Sequence, residues 1–174
     1  TPARRHAMST PTTLRAPGIA ILCADGAVPA VGHTTWNQVA RLGEFKGHPQ
    51  GAFAFTPEVF AELIANFAET ANGRVPVDYE HTSELLPDNA AQEGVPAVAW
   101  VVALDDRGPD GLWGAFEWVD AQAVEYVRAR RYLYLSPAVH FDATHRESGE
   151  AIGARLTSVA LTNHPFLDGM APLT

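Results

Sequence analysis

Phe60, Leu63, Ile64 and Phe67 recur at the three-and-four spacing of a helix, and the residues before them complete a start signal. Thr56 is an N-cap type, Pro57 fits the first helical position, and Glu58 places an acid in the first turn. The spacing predicts a helix from here to Asn72-Gly73, a pair suited to ending one. The period then changes to two. In VPVDYEH, residues 75–81, Val75, Val77, Tyr79 and His81 alternate with Pro76, Asp78 and Glu80, which predicts a strand with the first set on one face.

GIAILC (18–23) predicts a first strand, closed by the turn residues of ADG. Residues 24–52 scatter Gly, His and Pro without a period and read as loops, as do the polar, proline-punctuated residues 82–96. Two apolar runs, 97–104 and 112–119, flank the turn chemistry of DDRGPDG and predict an antiparallel hairpin. Asp120 is placed to cap a short helix through Arg130, with Val124 and Val127 facing inward. A strand over YLYLSPAV (132–139), a polar loop DATHRESGE (142–150) and a last strand over 154–161 complete the series, and NHPFLDGMAPLT again reads as loop. Hairpin-linked strands with interspersed helices predict an α+β domain, mainly antiparallel, with a β-barrel core.

Composition narrows this picture. The chain has 174 residues, enough for one domain with a real core, and is 47% hydrophobic and 18% charged. Residues 1–17, rich in Thr, Pro and Ala, read as a disordered tail, which leaves 18–174 as the domain; Met8 is a candidate natural start. The tail is basic but never becomes apolar, so it lacks the pattern of a secretory signal. No window has the roughly 18 consecutive apolar residues of a membrane span. A net charge of −8 argues against nucleic acid as a partner. Cys23 is the single cysteine, so no intrachain disulfide can form, which suits a reducing cytoplasm.

Ser136, in the apolar run 132–139, is the candidate nucleophile; a serine needs a base within hydrogen-bond reach. Among seven histidines, His6 lies in the tail, His33 and His48 lie in unplaced segments, and His145 lies in a polar loop. His140 shares the strand face of Ser136, but four strand residues separate their alpha carbons by about 13 Å. His81 closes a strand and opens a long polar loop, a common setting for catalytic groups. Pro137 has no N–H, so it cannot supply the oxyanion donor that often follows a nucleophilic serine. The segment Asn163 to Gly169 is the candidate source of donors instead.

The segments VPVDYEH, AWVVALDDRGPDGLWGAFEWVDAQAV, RYLYLSP and LTSVALTNHPFLDGM together resemble the bacteriophage Mu I protein family of prohead maturation proteases, over roughly residues 18 to 171. More distantly they are similar to other tailed-phage prohead proteases and herpesvirus assemblins. The resemblance implies an assemblin-like barrel surrounded by helices, and a serine endopeptidase with His81 as general base and Ser136 as nucleophile. For the third member it implies Ser158, at the position where related prohead proteases carry an acid, with a His81–Ser136 dyad as the alternative. Asp78 and Glu80 are passed over because strand alternation aims them away from His81, unless a bulge intervenes. His164 is a weaker match to the assemblin third histidine.

The implied substrates are the internal phage scaffold, the major capsid protein and the protease's own extensions, cleaved in the host cytoplasm inside an assembling prohead. Self-cleavage and a homo-oligomer are compatible with this reading, and it calls for no cofactor. The resemblance implies a scaffold-like C-terminal region on the same chain, and this sequence is expected to be a truncated or self-processed form. The alternative is a catalytically inactive capsid-assembly or scaffold-docking module of the same fold. A metal site from Asp78, Glu80, His81, His140 and His164 matches no ligand spacing, so no metal is expected.

Overall fold

The start signal at Thr56 folds as its chemistry dictates: helix α1 spans Pro57–Phe67, and the Val59 N–H donates to Thr56 Oγ1 at 3.3 Å. The computed structural model describes residues 29–69, 72–85 and 94–173, and the backbone of two short paired strands, β1 (Leu14–Ala16) and β2 (Ile19–Ile21). Part of the stretch expected to be a tail is therefore strand; His6, Met8 and Cys23 lie outside the described residues.

The main sheet has six strands: β3 (Thr34–Ala40), β6 (Val75–Tyr79), β7 (Ala99–Asp106), β8 (Leu112–Trp118), β9 (Tyr134–Thr144) and β10 (Ala151–Thr162). Their order is β3-β8-β7-β6-β10-β9, antiparallel except for the parallel pair β6–β10. The ends of the order, β3 and β9, approach each other, so the sheet curls into a half-barrel. A small hairpin, β4 (Gly43–Phe45) with β5 (Phe53–Phe55), stands beside it. Helix α2 (Thr82–Leu85) follows β6, and α3 (Ala121–Arg128) follows β8, capped by Asp120 Oδ1 accepting from the Ala123 N–H at 2.6 Å. The architecture is thus α+β and mainly antiparallel.

Two strands arise where loops were expected. In β3 the inward-facing set is Thr35, Asn37 and Val39, two of them polar, so the hydrophobic period is hidden. Their burial is made tolerable by mutual hydrogen bonds: Asn37 Nδ2 and Trp118 Nε1 each donate to Thr35 Oγ1 at 2.9 Å. β4 has only three residues and shows no period. β9 runs into the expected polar loop as far as Thr144, and β10 begins earlier than expected, at Ala151.

The concave side holds the core. Val75, Val77, Val101, Phe116, Leu156, Val159 and Leu161 point inward and meet Phe60 and Leu63 of α1. Each fully buried side chain of this size contributes about 1.5–3 kcal/mol. α1 is fixed to β10 by polar contacts as well: Glu62 Oε2 accepts from the Ala154 N–H, and Asn66 Nδ2 donates to the carbonyls of Ile152 and Ala154, all at 2.8 Å. Gly153, at φ +73°, lies beneath the Glu62 carboxylate, where any side chain would collide. After β10 the chain returns along the sheet, burying Leu167, Met170 and Leu173.

Candidate active site

β10 divides its residues between two environments. Val159 and Leu161 face the core; Ser158, Ala160 and Thr162 face the other side of the sheet. Ala160 is paired with Ser136 of β9 on one flank and with Asp78 of β6 on the other. Ser136, Ala160 and Asp78 therefore stand level on three adjacent strands and on one face, all buried. At about 4.8 Å per strand step, the alpha carbons of Ser136 and Asp78 are about 10 Å apart.

The strand that was expected to carry His81 stops at Tyr79. Glu80 and His81 both have left-handed backbones, at φ +54° and +57°, a conformation uncommon for non-glycine residues and here adopted twice in succession. His81 consequently does not share the face of Val77 and Tyr79, because alternation ends before it. The chain turns back, and the His81 carbonyl accepts from the N–H groups of Glu84 and Leu85 to begin α2.

Side chains secure this turn. Asp78 Oδ2 accepts from the Ser83 N–H at 2.8 Å, and Thr82 Oγ1 donates to the Tyr79 carbonyl. Thr162 Oγ1 donates to Glu80 Oε2 at 2.6 Å. Ser158 and Thr157 both donate to Glu84 Oε1 at 2.7 Å, made possible by a register shift between Leu156 and Ser158 that brings adjacent hydroxyls to one carboxylate. Two polar groups here have no partner among the described residues: the imidazole of His81 and the hydroxyl of Ser136. A third, the buried Oδ1 of Asp78, also lacks one.

The structure thus brings Ser136 and the His81 turn to the same three strands, but no hydrogen bond joins them. Ser158, expected beside the imidazole, gives its hydroxyl to Glu84 instead. Pro137 pairs with Val159 in unbroken register on β9, the terminal strand of the sheet, where a missing donor is tolerated. Of the candidate oxyanion donors in 163–169, the His164 N–H is held by Thr162 Oγ1 at 3.0 Å, and Asn163 Nδ2 donates to the Arg131 carbonyl at 2.7 Å. The other histidines lie elsewhere. His48 packs edge-on to Phe53 and Phe166, His145 pairs with Glu69 at 3.4 Å, and His33, His140 and His164 are exposed. Among the described residues no group of His, Cys, Asp and Glu is arranged to hold a metal ion.

Sequence reasoning passed over Glu84 and the small residue Ala160. The cue for α2 was Thr82-Ser83, two helix-start residue types directly after His81.

The half-barrel thus carries a secured histidine turn after β6 and a buried serine on β9, two strands away. Residues 37–174 match the family described as Mu-like prophage I protein, N-terminal domain, and the chain belongs to that family. No curated protein and no solved structure matches it. Among the described residues no helix is long and apolar enough to cross a membrane.

Proposed function

We propose that this domain is a serine endopeptidase of prohead maturation, with an assemblin-like site in which His81 is the base and Ser136 the nucleophile. The observation that supports it most is that Asp78, Ser158 and Thr162 hold the turn after β6, while among the described residues neither the His81 imidazole nor the Ser136 hydroxyl is committed to another group. A left-handed pair held by its surroundings is the kind of strain that accompanies positioned functional groups.

In the proposed reaction His81 removes the Ser136 proton as Oγ attacks the scissile carbonyl carbon. The oxyanion collapses, the C–N bond breaks, and His81 returns the proton to the leaving amine. Water, activated by the same imidazole, then attacks the ester and releases Ser136. The substrates in this reading are the internal scaffold and the protease's own extensions, inside the assembling particle.

The docking-module alternative draws on the absence of a Ser136–His81 hydrogen bond. Co-expression of the scaffold with the unsubstituted protein, Ser136→Ala and His81→Ala separates the two. The protease reading expects processing to be lost in both variants, with folding retained. Processing that continues unchanged in the alanine variants refutes it.

A further inference from the structure

Asp78 is buried, with 2% of its surface exposed, yet only one of its carboxylate oxygens is used. Oδ2 holds the start of α2; Oδ1 is sealed from solvent and has no hydrogen-bond partner. An unsatisfied buried acceptor is costly, more so when it is charged, so its retention calls for a reason. The reason for passing over Asp78 was that alternation would aim it away from His81. That reason fails, because alternation stops at Tyr79 and the two left-handed residues fold the chain back over Asp78.

We propose that Asp78 is the positioning residue of the site: its Oδ1 accepts the Nδ1–H of His81, leaving Nε2 directed at Ser136 Oγ. The inference rests on His81 being the base. The register supplies the geometry. Asp78 and Ser136 are two strands apart on one face, and the residue between them is Ala160, the smallest side chain with a Cβ. A span of about 10 Å between alpha carbons is what a carboxylate, an imidazole and a serine hydroxyl in line require, with the ring lying over the strand between them. A larger residue at 160 would occupy that space. In this arrangement Ser158 acts at a distance, since its bond to Glu84 holds α2 and the His81 turn in place.

Asp78→Asn tests this because it keeps an acceptor for the Ser83 N–H but presents an amide donor to the ring, favouring the wrong tautomer. Scaffold-cleavage kcat should fall about a thousand- to ten-thousand-fold with KM nearly unchanged and the unfolding midpoint close to that of the unsubstituted protein. Ser158→Ala should lose far less. In the unsubstituted protein, 15N-histidine NMR on the neutral ring should show His81 as a single tautomer protonated at Nδ1, and Asp78→Asn should abolish that signature. The NMR result on the unsubstituted protein decides the matter if Asp78→Asn does not fold.

Full cleavage by Asp78→Asn while His81→Ala and Ser136→Ala are inactive would overturn the inference. So would a His81 ring that averages between tautomers in the unsubstituted protein. Unchanged cleavage by His81→Ala and Ser136→Ala would instead refute the protease reading, and the tautomer measurement would still decide whether Asp78 holds the ring.

Discussion

On one side of β10, Leu156, Val159 and Leu161 press into an apolar layer completed by Phe60 and Leu63; on the other, Ser158 and Thr162 meet a turn secured by carboxylates. The same strand serves both because its side chains alternate. The apolar side gains its stability from area removed from water, without directional demands. The polar side gains little net stability from each bond, but hydrogen bonds have directions, and directions fix where an imidazole sits. Bulk burial makes the domain stable, whereas the convex face makes one short segment unique.

The contrast can be tested by substitution. Phe60→Ala, on the apolar side, should destabilise the domain by about 3–5 kcal/mol in denaturant unfolding. Its folded fraction should retain the properties of the other side, and a selective change at His81 would show the two sides to be coupled. Glu84→Ala leaves the buried Ser158 hydroxyl without its acceptor and should cost about 1–3 kcal/mol by the same measurement. Glu84→Gln restores an acceptor and should recover most of that loss. Equal losses for Ala and Gln would mean that charge, and not the hydrogen bonds, holds α2.

The smallest effect belongs to Tyr79, at the rim between the two sides. Burial first, then the neighbouring Asp120, push its hydroxyl up to about 12. Because the folded state keeps this proton longer than the unfolded chain does, the contribution is fully present below about pH 10 and is lost as pH rises through about 12. Tyr79→Phe also removes a buried hydroxyl that has no partner, so it should be close to neutral at pH 7 and should reduce the alkaline loss of thermal stability. A large loss at pH 7 would reveal a partner for that hydroxyl.

Much of this architecture was legible before any coordinates. The Thr56-Pro57-Glu58 start, the hairpin around DDRGPDG and the Asp120 cap each rest on local chemistry that tertiary contacts did not override. β3 was hidden because a strand with Thr35 and Asn37 on its inner face carries no hydrophobic period; its partner Trp118 lies far away in sequence. The position of Ser136 on a strand was also legible. The direction of His81 was not, since nothing in Tyr79-Glu80-His81 announces two left-handed residues. That conformation is imposed from outside, by Thr162, Ser158 and Thr157 of the last strand.

The parallel pairing of β6 with β10 sets the order in which these parts can meet. A ribosome delivers residues 75–85 well before, and residues 134–144 directly before, the strand that must lie between them. Closing the loop from β6 to β10 spans roughly eighty residues, and the pairing comes late in synthesis. Until β10 inserts, Ser136 has no neighbouring strand and the His81 turn lacks the hydroxyls of Thr157, Ser158 and Thr162. The convex face therefore cannot be assembled on a partly made chain, and whatever chemistry it performs begins only with a completed domain.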